Sequence, residues 1–147
     1  METTVTGRAF MQVKIYSPEG EIYNHRSYSC NVRTLEGGLT LLPNHIPIIA
    51  ALDISAVKVV RLEEGNPTDY IAINGGILSM NNNEIEIITN YAVRARDIDD
   101  AKVEIERQKA EEDLEAAKRA HDARAFKRAK ISLERALNQI SVSQHRR

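Results

Sequence analysis

The sequence predicts an all-β N-terminal sandwich followed by an antiparallel α-helical hairpin, and three observations support this prediction. All seven glycines lie at or before Gly76, and all four prolines lie at or before Pro67. The remaining residues are rich in Ala, Glu, Lys and Arg, which favour helix, whereas glycine and proline mark turns. The apolar spacing also changes, from about two residues in the first part to three or four in the second. The predicted domains are a β-sandwich at 1–91 and a two-helix hairpin at 92–147.

The first part of the chain has the pattern of short strands separated by turns. Residues 11–15 alternate apolar and polar side chains, so we expect one face of this strand to be buried and the other to be exposed to solvent. A Ser-Pro-Glu-Gly turn follows, and 63–67 forms a second turn. Further strands are predicted at 57–62, 70–73, 77–80 and 85–88. Their spacing of about 8–12 residues is typical of an antiparallel sandwich or barrel. The pair Gly75-Gly76 is interpreted as a tight bend between two strands.

The second part has the pattern of two helices. Asp97 is the predicted N-cap, and Asp99 and Asp100 place negative charge in the first turn, where the helix dipole favours it. A carboxylate cluster is the alternative interpretation of these three residues. The first helix is predicted to run to about residue 122, and the second to begin near Arg124. Each helix has one narrow apolar stripe, as in an antiparallel hairpin. The stripes comprise Val103, Ala110, Leu114 and Ala117, and then Phe126, Ala129, Leu133, Leu137 and Ile140.

The two predicted helices carry opposite net charges. Residues 97–122 include ten acidic and five basic side chains, a net charge of −5, whereas 123–147 include one acidic and seven basic, a net charge of +6. Opposite charges draw the helices together, although each exposed pair contributes only about 0.2–1 kcal/mol. The stripe of the first helix is largely alanine and buries little apolar area. We therefore hypothesise that the hairpin detaches or opens easily.

The composition and the residue spacing indicate few groups that could catalyse a reaction or bind a metal. A formal net charge of −1 argues against a nucleic-acid binder. The single cysteine, Cys30, excludes an internal disulfide framework and is interpreted as a small core residue. The four histidines have no metal-ligand spacing, and the glycines match no phosphate-binding motif. No catalytic residue and no metal site are predicted.

No segment has the pattern of a membrane span or a signal peptide. The longest apolar run, 46–52, contains a proline and is far short of the ~20 residues that cross a bilayer. The opening METTVTGRAF lacks the apolar core of a signal peptide. We expect a soluble protein on the cytosolic side, with any membrane association made through a partner.

Two segments remain open to a structural or a functional interpretation. In 37–47, Pro43 and Pro47 fix φ on either side of His45 and hold its imidazole in place, either as a plain turn or as a binding loop. The basic second helix contains Phe126 as its one aromatic residue, so an RNA or lipid surface gains little support. An acidic protein partner fits that helix better.

Four motifs, in order along the chain and the last of them in two pieces, resemble the epsilon subunit of F-type ATP synthases. EGGLTLLPNHIP at 36–47 resembles that family's EGELGIxPGHxP segment, and INGGIL at 73–78 resembles its SGGxLE strand turn. AVRARDID at 92–99 resembles the AERAxDID junction into the helices. FKRA at 126–129 and LERALNQISV at 133–142 are similar to the second helix and tail.

The resemblance implies the same fold and a rotor protein without an active site of its own. Such a non-catalytic central-stalk subunit couples proton-driven rotation of the c-ring to ATP synthesis in the catalytic head. The sandwich would pack on the gamma subunit and the c-ring. The hairpin would either fold back or extend toward the alpha and beta subunits, where it restrains ATP hydrolysis. Association with the membrane would be indirect, through the c-ring sector, at the cytoplasmic face of a bacterial plasma membrane.

The resemblance also implies partner-binding residues. Glu36 and His45 would lie near the gamma and c-ring contacts, although Gly38 stands here in place of a second glutamate and Thr40 in place of a glycine. The basic residues that would meet an acidic segment of beta are Lys127, Arg128, Lys130 and Arg135.

Some bacterial members bind ATP through an I/L-D-x-x-R-A motif and arginines of the second helix. The matching residues here are Ile98, Asp99, Lys102 and Arg135. Lys102 stands where the motif has arginine, and Gln139 replaces another arginine. Because lysine cannot supply the planar fork of arginine, the implied regulatory binding of ATP is weak, and no cofactor is required.

Two other classes of function compete with this reading. One is a free-standing adaptor whose hairpin docks an unrelated acidic protein, which composition and periodicity alone leave open. The other is an independent enzyme, for which the sequence offers no nucleophile, metal cluster or acid–base pair. The four motifs in register favour the ATP synthase reading over both.

Overall fold

The computed structural model describes residues 9–146, so the METTVTGR segment lies outside the described residues. The chain divides into a strand unit that ends at Arg94 and a helical unit that begins at Ala95. This division comes three residues later than the predicted boundary after Tyr91, because Ala92–Arg94 still pairs within the sheet. The predicted fold class, a β-sandwich followed by a helical hairpin, is confirmed.

Within residues 9–94 the structure contains seven strands. They are β1 (Met11–Ser17), β2 (Gly20–Thr34), β3 (Gly37–Leu41), β4 (Ile48–Arg61), β5 (Thr68–Asn81), β6 (Glu84–Ile88) and β7 (Ala92–Arg94). They form a closed ring in the order β1, β6, β5, β4 and β2, because β1 pairs with both β6 and β2. The β1–β6 pair is parallel and the others are antiparallel. β3 extends the ring beside β2, and β7 pairs with β5.

The strands near Gly75 and Gly76 are longer than the sequence predicts. The interpretation of this glycine pair as a bend between strands is wrong, because 70–73 and 77–80 belong to the single strand β5. Both glycines have positive φ, +80° and +141°. This conformation, which glycine tolerates and other residues rarely adopt, lets one strand pair first with β7 and then with β6. An irregular strand therefore replaces the expected turn.

Alternation of side chains builds the core inside the ring. On β1, Met11, Val13 and Ile15 are fully buried, as the spacing of two predicts. Cys30 is also buried in this core, and burial raises the pKa of its thiol to about 12. The thiol is therefore held in its unreactive protonated form. Other large, fully buried side chains include Tyr23, Leu41, Val57, Ile71, Ile73, Leu78, Met80, Ile85 and Ile87.

Between residues 95 and 146 the helical unit has a short 3-10 turn, Ala95–Asp97, and two helices, α1 (Asp100–Arg119) and α2 (Ala123–Ser143). The prediction of Asp97 as N-cap is wrong. Asp97 belongs to the 3-10 turn, and the extended residue Asp99 caps α1 by accepting a 3.2 Å hydrogen bond from the Lys102 amide. α1 also ends three residues before the predicted residue 122.

The reversal between the helices is short and capped. Asp122 accepts a 3.0 Å hydrogen bond from the Ala125 amide and so caps α2, which begins one residue before the predicted Arg124. His121 adopts a positive φ of 53° in the turn. The chain itself therefore joins the two helices at this end of the hairpin through a short, capped turn.

The seam between α1 and α2 is lined by small side chains. Val103, Ala110 and Ala117 are buried on α1, as the predicted stripe requires. On α2 the predicted stripe is only partly correct, because Leu137 is 47% exposed whereas Ala129 is buried. The other residues that α2 buries are Ala136, Gln139 and Val142. Small residues therefore fill most of the buried positions of the seam, whereas Phe126, Leu133 and Ile140 are only half-buried.

Candidate functional site

The two residues expected at the gamma and c-ring contacts lie at opposite ends of β3. Glu36 is exposed in the turn between β2 and β3, where its amide donates to the Thr34 hydroxyl at 3.1 Å. His45 lies in the turn between β3 and β4. With a rise of about 3.3 Å per residue, β3 separates the two turns by roughly 13 Å. The structure therefore does not bring Glu36 and His45 together in one site.

The turn that holds His45 is pinned to a neighbouring turn. The Asn44 amide donates to the Asn83 side-chain oxygen at 2.6 Å, and the Asn83 side-chain amide donates to the Asn44 side-chain oxygen at 3.1 Å. His45 Nδ1 lies 2.7 Å from the carbonyl oxygen of Ile46. Leu42 and Ile46 beside it are largely exposed. The turn thus presents two apolar side chains and an imidazole on a fixed backbone.

A group of exposed apolar side chains lies on the outward face of the sheet, and the sequence alone does not predict it. Ile77 lies opposite Ala51 on β4 and opposite Ile88 on β6, and residues directly opposite share a face. Ile49 lies two residues along β4 on that same face. Leu35 lies alongside, because its amide donates to the Ala51 carbonyl at 3.1 Å. We call Leu35, Ile49, Ile77 and Ile88 the apolar sheet surface, and their side chains are 50–78% exposed.

A buried charged cluster fixes the last strand of the unit. The Tyr23 hydroxyl donates to the Asp69 carboxylate at 2.6 Å. Two guanidinium groups pair with the same carboxylate, Arg61 at 3.1 Å and Arg94 at 3.6 Å. Arg94 also lies over the Tyr23 ring, 5.2 Å from its centre. Because Arg94 is the last residue of β7, the cluster anchors the point at which the chain leaves the strand unit.

The cluster changes the protonation behaviour of two side chains. Burial and the hydrogen bond to Asp69 raise the pKa of Tyr23, so its hydroxyl remains a donor. Burial and the nearby Arg61 lower the pKa of His25, whose ring lies 4.7 Å from that of Tyr23. Both groups are therefore neutral near pH 7, and the charges of the cluster belong to Asp69 and its two arginines.

The basic residues of α2 differ in exposure. Lys127, Arg128 and Lys130 are exposed, and among residues 9–146 none of them has an ion-pair partner. Arg135 is half-buried at the edge of the seam, and its Nε has no hydrogen-bond partner within the described part of the chain. Arg124 is likewise exposed and without an ion-pair partner among the described residues, so four unpaired cations lie on the surface of α2, whereas Arg135 is half-buried.

The residues expected to bind nucleotide already have structural roles in the helical unit. Ile98 is buried, and the carboxylate of Asp99 is engaged as the cap of α1. The side chain of Lys102 is exposed one turn further along. In the described residues, no group of three or more His, Cys, Asp and Glu side chains is placed to hold a metal ion. No helix of the described chain combines the length and hydropathy that crossing a bilayer requires.

Chains of similar fold occur in solved structures of mitochondrial ATP synthases, among them the following two. One is a chain of the Euglena gracilis mitochondrial ATP synthase, described as OSCP/F1/c-ring in rotational state 1. It matches with a TM-score of 0.74 and 21% identity over 96% of this chain and 87% of that one. The other belongs to the central stalk and c-ring of the Tetrahymena thermophila mitochondrial ATP synthase. It matches with a TM-score of 0.50 and 20% identity over 63% of this chain and 69% of that one.

The sequence itself matches a family model over the strand unit. The match covers residues 10–95, from the residue before β1 to the first residue after β7, and so includes every strand of the closed ring. The model is described as the beta-sandwich domain of the ATP synthase delta/epsilon chain. Since the match covers more than half of the chain, this protein belongs to the ATP synthase delta/epsilon family.

Proposed function

We propose that this chain is a non-catalytic rotor subunit in the central stalk of an ATP synthase, where it links rotation of the c-ring to the catalytic head. The family match over residues 10–95 carries this proposal. The likeness in fold to a chain of the Euglena gracilis ATP synthase, which covers 96% of this chain and so both its strands and its helices, supports it. The role requires binding surfaces rather than an active site, and such surfaces are what the described residues offer.

The apolar sheet surface is the proposed docking site for the gamma subunit. Adjacent large apolar side chains on one sheet face are costly in water, and burying them stabilises an interface by about 25 cal/mol per Å². The opposite face of the same strands is fully buried in the core, as Leu78 and Ile87 show. The surface is therefore separate from the core, and a partner that covers it would bury these side chains.

The turns at the two ends of β3 supply the remaining rotor contacts. Because they lie apart, Glu36 and His45 are assigned to separate contacts with the gamma subunit and the c-ring rather than to a shared one. The pinned turn around His45 is suited to this role, since a fixed backbone loses little conformational freedom on binding. Contact with the c-ring would hold the chain at the cytoplasmic face of a bacterial plasma membrane without inserting it.

The hairpin is the proposed brake on ATP hydrolysis. The buried residues of the seam between its helices are mostly alanines, and Lys127, Arg128 and Lys130 have no ion-pair partner among the described residues. An extended hairpin would present these three cations, together with Arg135, to acidic segments of beta beside alpha. Weak regulatory binding of ATP at Ile98, Asp99, Lys102 and Arg135 stays a prediction.

A comparison of hydrolysis rates tests this assignment. We expect the catalytic head to hydrolyse ATP severalfold faster with a chain ending at Arg94 than with the full chain, because the truncation removes the hairpin and leaves the strand unit. Replacing Lys127, Arg128 and Lys130 by alanine is expected to give most of that increase. The measurement is steady-state hydrolysis with gamma-bound subunit in each assay.

The matched control removes three positive charges from the other helix. Lys109, Lys118 and Arg119 of α1 are replaced by alanine, which should leave hydrolysis restrained. An equal rise in hydrolysis in both triple variants would show that the increase depends on net charge and not on the position of the three cations of α2. If the truncated chain still binds gamma and hydrolysis is unchanged, the hairpin does not restrain hydrolysis. The proposed function is then limited to linking rotation of the c-ring to the catalytic head.

A further inference from the structure

The side chain of Arg146 reaches back from the end of α2 to the beginning of α1. Its two terminal nitrogens contact both carboxylate oxygens of Asp100, at 3.0 Å and 3.3 Å. One of them also donates to the Ile98 carbonyl at 2.8 Å, and Nε donates to the Ala95 carbonyl at 3.4 Å. A single guanidinium therefore binds the 3-10 turn, the residue before the α1 cap and the first turn of α1.

The contact lies at the end of the hairpin where the two helices are not joined by a turn. At the other end, the chain itself joins α1 to α2 through the capped turn at Asp122. The helices can therefore separate only from the end at which Arg146 binds. Between the two ends lies the seam, where four of the seven buried residues are alanines, and an alanine side chain buries less apolar area than a larger one.

The chemistry of the contact allows it both to hold the two helix ends together and to be broken by water, salt or a competing anion. The planar fork of arginine matches a carboxylate in two parallel hydrogen bonds, which lysine cannot reproduce. The Arg146 hydrogen bond lowers the pKa of Asp100, so the carboxylate remains charged. Both side chains are still partly exposed, at 37% and 63%. Water and salt therefore reach the pair, and a competing anion can displace it.

We propose that Arg146 is a latch that holds the open end of the hairpin closed. While it binds Asp100, Ile98 and Ala95, the end of α2 stays on α1, and release of these contacts lets α2 separate from that end. The consequence for hydrolysis rests on the proposed brake, whereas the latch itself is a property of the hairpin. The helical ion pairs of Arg107, Lys109 and Lys118 lie within α1 and cannot do this.

Amide hydrogen exchange in the full chain tests the latch. In Arg146→Ala we expect exchange in the first turn of α1 and the last turn of α2 to rise by about threefold or more, because local opening exposes those amides. Amides beside the Asp122 turn and in the strands should not change. Arg146→Lys should fall between the alanine variant and the original chain. Asp100→Asn, which leaves the Asp99 cap and the Arg146 bonds to the Ile98 and Ala95 carbonyls intact, should raise exchange at the same amides but by less than Arg146→Ala.

The matched control breaks an ion pair of the same length that does not join the helices. Lys109 lies 3.0 Å from Asp113, both within α1, and Lys109→Ala should leave exchange at the open end unchanged. A rise in exchange that is equal in the control variant, uniform along the hairpin, or absent in Arg146→Ala would overturn the latch.

Hydrolysis assays separate a failed latch from a failed brake. If exchange rises in Arg146→Ala but neither this variant nor truncation after Arg94 changes hydrolysis, the latch stands and the brake fails. If truncation raises hydrolysis but Arg146→Ala leaves exchange unchanged, the brake stands and the latch fails. If both stand, Arg146→Ala is expected to shift hydrolysis as well, since it alters the fraction of open hairpin.

Discussion

Replacing Gly76 by alanine is expected to destabilise the strand unit by about 3 kcal/mol, the sum of strain at a left-handed backbone and of overpacking. A Cβ atom at this position would lie 2.4 Å from the Ile88 carbonyl oxygen and 3.1 Å from Cβ of Thr89. That carbonyl belongs to the strand paired with β5, so it cannot move away without disturbing the β5–β6 ladder. Urea unfolding followed by circular dichroism measures the change.

Gly38 provides the control for the Gly76 substitution. It also lies in a strand, but its φ is not positive and nothing lies within 4 Å of an added Cβ. Gly38→Ala should therefore change the free energy of unfolding by less than about 0.5 kcal/mol, as expected for an exposed site. Equal unfolding midpoints for the two variants would contradict the close approach of β5 to β6.

Replacing Asp69 by asparagine is expected to cost about 3 kcal/mol or more, because removing one partner leaves buried opposite charges uncompensated. The amide can still accept the hydrogen bond of the Tyr23 hydroxyl, so the variant isolates the loss of negative charge. Arg61 keeps Glu63 at 2.7 Å, whereas Arg94 loses its carboxylate. The loss should therefore appear both in thermal unfolding and as faster amide exchange along β7.

An exposed ion pair of the strand unit supplies the comparison for Asp69. Lys14 and Glu84 lie 3.6 Å apart, with Glu84 half exposed, and such pairs contribute about 0.2–1 kcal/mol. Glu84→Gln should therefore shift the melting temperature only slightly. An equally small effect of Asp69→Asn would show that the buried cluster does not hold β7 in place.

The sequence predicts the fold class because the spacing of its apolar residues changes at one point in the chain. Apolar spacing of two gives the strands, spacing of three to four gives the helices, and the loss of glycine and proline marks the change. The details fail where local signals are ambiguous. Gly75 and Gly76 resemble a turn, although they allow β5 to continue through an irregularity. Asp97 and Asp99 are equally good caps by residue type, and only the 3-10 turn selects Asp99.

The candidate surfaces were harder to predict than the fold. Ile77 and Ile88 occur in apolar runs that resemble core, and only the strand register shows that they lie opposite each other on the exposed face. The Tyr23–Asp69 and Arg146–Asp100 contacts each join residues 46 positions apart, so no local pattern contains them. The predicted stripe of α2 includes Ala129, which is buried, but it misses Ala136, Gln139 and Val142, which the structure buries beside it.

The affinity of the chain for the gamma subunit tests the central claim most directly. The measurement compares the full chain with a variant that carries Ile49→Ser and Ile88→Ser on the apolar sheet surface. Its control is Ile105→Ser, a similarly exposed isoleucine on α1. We expect the full chain and the control to bind gamma alike, and the double variant to bind roughly tenfold or more weakly, since buried interface anchors each contribute over ~1 kcal/mol. Equal binding by all three, or no binding of gamma by the full chain, would contradict the proposed rotor role of this surface.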